Sequence, residues 1–187
     1  MRNPLLIPAL ALSLFFAGCA AWQPGGVVYS GDKNFSIKVP AGWTFTTSLM
    51  GPKTNLFATK DGALLQQLAV THHLDKDVFP NSKRSVTPQM TPFEVAEVVV
   101  DELRSSRGIS NLNVVENTPA TVGGQPGFKL LLTYQNSDNL RVTEVRYGSH
   151  IGDRTWFLRF SAPSRHYFEH ERPALEEAAA SFKLNKA

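Results

Sequence analysis

Three small groups of residues have the types and spacing that chemistry could use. The densest is His166-Tyr167-Phe168-Glu169-His170. On a helix, histidines at i and i+4 share a face and could hold zinc, with the intervening glutamate as general base. The second is His72-His73, followed by Asp75 and Asp77. Neighbouring residues of a strand face opposite ways, so this pair does not converge on one metal and reads as a strand end near water. The third is a single residue, Cys19, the only cysteine in the chain, which closes the stretch Leu14-Phe15-Phe16-Ala17-Gly18-Cys19. A lone cysteine cannot form an internal disulfide, which leaves a free thiol or a site of attachment. The sequence contains no phosphate-cradling glycine loop, no dinucleotide fingerprint and no nucleophilic serine elbow.

Ahead of Cys19 the only charged side chain is Arg2, and Pro4 to Gly18 is uncharged and rich in Leu, Ala and Phe. That length suits the apolar core of a secretory signal and falls short of the ~20 residues of a spanning helix. Phe16-Ala17-Gly18-Cys19 resembles the bacterial lipobox, with Phe16 where an aliphatic residue is usual. The resemblance implies that residues 1–18 are a lipoprotein signal peptide cut between Gly18 and Cys19, and that Cys19 is lipidated. Three acyl chains, with each buried methylene worth about 0.8 kcal/mol, would make attachment permanent. By resemblance to Gram-negative lipoproteins, Ala20 implies sorting to the outer membrane, facing the periplasm.

Beyond the signal, the chain of 187 residues has the length of one domain, able to bury a core without disulfides. The net charge of +3 includes Arg2, so the mature chain is closer to neutral, and no basic tract is present. That balance predicts no nucleic-acid partner. Residues 19–30 read as a lipid-anchored tether, because Gln23-Pro24-Gly25-Gly26 disfavours regular structure, and residues 31–187 as the folded domain. Phe35, Ile37 and Val39 alternate with polar residues, and strands over 56–60 and 64–72 flank a turn at Asp61-Gly62. Thr91-Pro92-Phe93-Glu94 is a capping box that opens a helix with Val95, Val99 and Leu103 as its apolar stripe, ending at Gly108. A meander follows, with Trp156, Leu158 and Phe160 on one face, and then a helix marked by Leu175, Ala178, Ala179 and Phe182. Strands, helix, strands, helix predicts an antiparallel α+β fold.

Phe35-Ser36-Ile37-Lys38-Val39-Pro40-Ala41-Gly42-Trp43, the acidic central helix, Thr121-Val122-Gly123-Gly124-Gln125-Pro126-Gly127 and Ser181-Phe182-Lys183 together resemble the PsbP/Mog1-type superfamily, including the bacterial DcrB-like lipoproteins. The resemblance implies a central antiparallel sheet flanked by helices, an α/β/α sandwich, that acts as a binding or assembly factor without a cofactor. No catalytic residue carries over from it. His166, Glu169 and His170 also match the H-x-x-E-H pattern of inverted zinc peptidases, but Pro173 argues against a continuous helix there and no distant acidic ligand follows. Trp43, Phe45, Tyr147, Trp156 and Phe160 are expected in the core. Lys76, Lys83 and Arg84, in the polar segment 74–90, are the candidate contact surface. The leading expectation is a non-enzymatic envelope lipoprotein that binds an envelope protein. The second is a small-ligand binder with a groove between sheet and helix, and the third a zinc hydrolase.

Overall fold

The structure is a computed structural model that describes residues 22–185 apart from 33 and 49. Gly18 and Cys19, with the expected cleavage and lipidation, lie outside the described residues. In chain order the elements are β1 (Gln23–Pro24), β2 (Val27–Tyr29), β3 (Phe35–Lys38), β4 (Thr44–Thr46), β5 (Thr54–Thr59), β6 (Gln67–Leu74), α1 (Pro92–Arg104), β7 (Ser110–Val122), β8 (Gln125–Gln135), β9 (Arg141–Ile151), β10 (Arg154–Pro163), α2 (Tyr167–Ser181) and β11 (Lys183–Leu184). Eight strands form one antiparallel sheet in the order β1-β4-β5-β6-β10-β9-β8-β7, and β11-β3-β2 form a smaller one.

Both faces of the large sheet are covered, which makes the predicted sandwich. On β10, Trp156, Leu158 and Phe160 pack with Phe35, Ile37, Phe168 and Leu175, that is, against the small sheet and α2. Phe157 points the other way and joins Phe128, Leu130 and Leu132 beneath Val95, Val99 and Leu103 of α1. The period-2 alternation of one strand thus feeds two separate cores. Thr91 caps α1 with the reciprocal Glu94 bond of a capping box, as its sequence predicts.

Four expectations are corrected. The hairpin at Asp61-Gly62 is wider than a two-residue turn, because β5 ends at Thr59 and β6 starts at Gln67. The Gln66 side chain, fully buried, fills that loop by bonding the Asp61 amide at 3.0 Å and its carboxylate at 2.7 Å. Helix α1 stops at Arg104 with Ser105 as its cap, because the Ser106 amide already turns back to Leu103 at 3.1 Å, so Gly108 lies beyond it. Helix α2 runs through Pro173; the bond that proline removes is tolerated within a helix held by Phe168 and Leu175 in the core. Pairing also begins at Gln23, within the stretch read as irregular: Gln23 and Pro24 pair with β4, and the Gly25 amide donates to the Trp43 carbonyl at 2.7 Å.

Candidate functional site

Where α1 begins, it stands away from the β7–β8 hairpin and leaves an open groove of about 690 Å³. Pro92 and Phe93 form one wall, while Pro119, Ala120, Pro126 and Phe128 form the other wall and the floor. The local sequence produces this shape. Pro92 at the first helical position needs no amide partner, and Thr91 with Glu94 fixes the direction in which the helix starts. Phe93 therefore projects from the first turn and remains 59% exposed. Across the groove, Gly127 lies so close to β9 that a Cβ there would stand 2.2 Å from the Gly148 carbonyl oxygen, while a Cβ at Gly148 would stand 2.3 Å from Phe128 Cζ. Asn117, beside the groove, keeps a buried unsatisfied acceptor. Asn117 donates through Nδ2 to Glu97 at 3.3 Å, yet its buried Oδ1 has no hydrogen-bond partner among the described residues. An apolar groove of this shape can take an apolar side chain, as from an extended peptide. A smaller cleft of about 270 Å³ lies between α2 and the sheet at Tyr147, Glu176 and Phe182.

Beneath α1 the sheet also buries a polar network that sequence reading missed. Cross-strand partners share a face, so Phe57, Ala69, Arg159, Arg146 and Leu130 form one row across five strands. In the next row Gln67, Ser161, Glu144 and Leu132 lie side by side. Glu144 is fully buried. Arg146 Nε donates to its Oε1 at 2.8 Å, the Tyr134 hydroxyl donates to its Oε2 at 3.0 Å, and Arg159 stands 3.9 Å away. Arg159 in turn donates to Gln67 at 2.6 Å. Burial, reinforced by the Glu144 carboxylate, holds the Tyr134 phenol far above its ordinary value. The network ties β6, β8, β9 and β10 together; its groups hold one another and offer no free nucleophile or base.

The predicted contact loop is anchored to the body of the protein. Phe79 and Val86 are buried against α1. The Glu102 carboxylate accepts the Ser82 amide at 2.8 Å and the Asn81 side chain at 2.6 Å. Although burial alone would raise that carboxyl, these bonds hold it below its ordinary value. Arg84 is engaged by Asp101, whereas Lys76 and Lys83 are exposed and have no ion-pair partner among the described residues. The three cations therefore do not act as one charged patch.

In the H-x-x-E-H segment Glu169 and His170 are engaged by neighbouring side chains. His166 is the N-cap of α2, with a positive φ of 69°, and its ring stacks on that of His170 at 5.7 Å between centroids. Glu169 is bonded by Arg172 at 2.6 Å, and His170 Nδ1 faces Glu171 at 2.8 Å. Among the described residues no group of three or more His, Cys, Asp or Glu side chains is arranged to hold a metal. His72 and His73 do face opposite ways: His72 meets Asn55 at 2.7 Å, and His73 stacks on Phe79 at 3.8 Å. His73 is buried, not at a wet strand end, and burial pushes its pKa down. Trp43, Phe45, Trp156 and Phe160 are buried as expected, while Tyr147 is half-buried against the same core.

No protein-family model matches the sequence, and no curated protein matches it. Solved structures do match the fold. Cyanobacterial PsbP (CyanoP) from Synechocystis superposes with a TM-score of 0.61 at 14% identity, covering 91% of this chain and 96% of its own. LpqN of Mycobacterium tuberculosis, described as involved in cell envelope biogenesis, gives 0.59 at 15% identity over 85% and 89% of the two chains. The Ran-binding protein Mog1p of Saccharomyces cerevisiae gives 0.59 at 11% identity over 88% and 97%. At such identities the likeness is one of fold, and the fold of this chain is the α+β PsbP/Mog1-like sandwich.

Proposed function

We propose that the protein is a non-enzymatic envelope lipoprotein that is held by a lipidated Cys19, faces the periplasm from the outer membrane and works by binding another envelope protein. The observation that carries the binding reading is the apolar groove between the start of α1 and the β7–β8 hairpin, with Phe93 exposed at its rim. Large apolar side chains exposed beside a preformed groove mark contact sites. The titratable groups of the described residues are largely paired with one another, which supports binding over catalysis. The envelope assignment rests on the lipobox-like stretch ending at Cys19, and a fold shared with an envelope-biogenesis protein is compatible with it.

A second reading has its own support. The groove volume falls within the roughly 300–1,000 Å³ of small-molecule sites, so a compact apolar ligand is the alternative occupant. A photoreactive amino acid at Phe93 in intact envelopes separates the two. A discrete protein adduct supports the first reading, and adducts confined to small molecules support the second. Absence of any adduct, with the protein folded, defeats both.

A further inference from the structure

We infer that the edge of the large sheet that carries Trp22 lies directly on the membrane that anchors the protein; this rests on the lipid-anchor reading above. Very little chain separates the anchor from the domain. Gln23 and Pro24 pair with β4, and Gly25 is clamped between Trp43 and Pro40. Only Ala20, Ala21 and Trp22 remain between Cys19 and the first paired residue. At no more than ~3.6 Å per residue, Cys19 lies within roughly 10 Å of Trp22. A domain on so short a leash cannot stand off from the bilayer.

The face that meets the lipid follows from Trp22. Its ring packs edge-on against Phe57 at 6.1 Å and is 44% exposed. Phe57 belongs to the row Phe57-Ala69-Arg159-Arg146-Leu130, which places the Trp22 ring on the α1 side of the sheet. Helix α1 covers the far part of that face, over β7, β8 and β9, and α2 covers the opposite face. Over β5 and the adjoining part of β6, Phe57 and Ala69 are buried at 3% and 2% exposure, so the exposed apolar group at this edge is Trp22 itself. Along the same row, two strand spacings or roughly 10 Å from Phe57, stands Arg159, with a side chain 29% exposed. An amphipathic indole beside the anchor, with the partly exposed Arg159 that bonds Gln67 on the same face, suits the headgroup zone of a phospholipid surface.

The test uses the mature protein purified from envelopes in detergent and reconstituted into phosphatidylethanolamine/phosphatidylglycerol vesicles whose acyl chains are brominated near the glycerol end. Trp43 and Trp156 are buried at 2% and 4% exposure, so contact quenching by these lipids reports Trp22. The expected result is loss of most of the Trp22 emission in brominated vesicles, with no such loss in Trp22→Phe. If Cys19 carries acyl chains by mass and the protein floats with the vesicles but Trp22 emission is untouched, the docking is overturned and the anchor stands. If Cys19 carries no acyl chain, the anchor reading fails and the docking falls with it. A benzophenone residue at position 22 in intact envelopes is expected to give lipid adducts. A protein adduct there, with a second copy or another chain, would show that this face is a protein interface and overturn the docking.

Discussion

Replacing Arg146 with methionine tests whether the buried network is as dry as its geometry indicates. Glu144 is 0% exposed, and the side chain of Arg146 only 14%. Methionine keeps an apolar stem against Phe157, over whose ring the guanidinium sits at 5.9 Å, and removes the charge. Glu144 is then left with the Tyr134 hydroxyl and Arg159 at 3.9 Å. Stranding one partner of a buried pair costs about 3–5 kcal/mol, and the remaining Arg159 holds the loss near the lower end, about 3 kcal/mol. At about 2–4 °C per kcal/mol for a domain of this size, the midpoint falls by about 6–12 °C. Urea unfolding followed by the fluorescence of buried Trp43 and Trp156 measures the loss. Adding Glu144→Gln removes the stranded charge and keeps an acceptor for Tyr134, so the double variant recovers at least half of it. If Arg146→Met costs under ~1 kcal/mol, the range of exposed pairs, water reaches Glu144 and the reasoning is wrong.

The other predictions concern helix, turn and groove. Glu171 is buried and bonded by Lys60 at 2.7 Å and His170 at 2.8 Å; burial alone would raise its carboxyl, but these partners hold it below the ordinary glutamate value. Its stabilising contribution is therefore full above that value, about 4.3, and lost as pH falls through the lower folded value. Melting temperatures scanned from neutral into acid should show a flatter acid limb for Glu171→Gln than for the parent. A Cβ at Gly148 would stand 2.3 Å from Phe128 Cζ, so Gly148→Ala should cost about 1–3 kcal/mol in urea, and Phe128→Leu should relieve part of that cost. Thr91→Ala removes the cap of α1 and should lower stability by ~1 kcal/mol, read from the urea midpoint. Phe93→Ala should change stability by less than ~0.5 kcal/mol while abolishing partner adducts formed from a photoreactive residue at neighbouring Gln125.

Much of the framework was legible because local rules and the global fold agree. The capping box at Thr91 and the alternation Trp156-Leu158-Phe160 appear in the structure as they read in the sequence. The network at Glu144 was hidden by the same rule that revealed the strands. In Thr143-Glu144-Val145-Arg146-Tyr147 the alternation marks Glu144 and Arg146 as polar positions, which reads as a solvent-facing side. In a sandwich covered on both faces, that side lies toward α1, and the ion pair is buried with it. The pairing of Gln23-Pro24 was hidden for a different reason. Two residues carry no periodicity, and their partner in β4 can be seen only once the chain is folded. The groove depends on where α1 starts relative to a hairpin some thirty residues later, a spacing that no motif encodes. The positive φ at His166, with Pro173 inside the helix that follows, gave the H-x-x-E-H segment a shape its pattern did not announce.

Attachment through Cys19 is open to direct measurement in the chemical state of that residue. Cells grown with labelled palmitate, followed by isolation of the protein and mass analysis of its N-terminal peptide, give the measurement. The account predicts a chain that begins at Cys19, carries label and acyl mass on that residue, and loses both the label and membrane fractionation in Cys19→Ala. An unacylated cysteine, or equal fractionation of parent and variant, would contradict it.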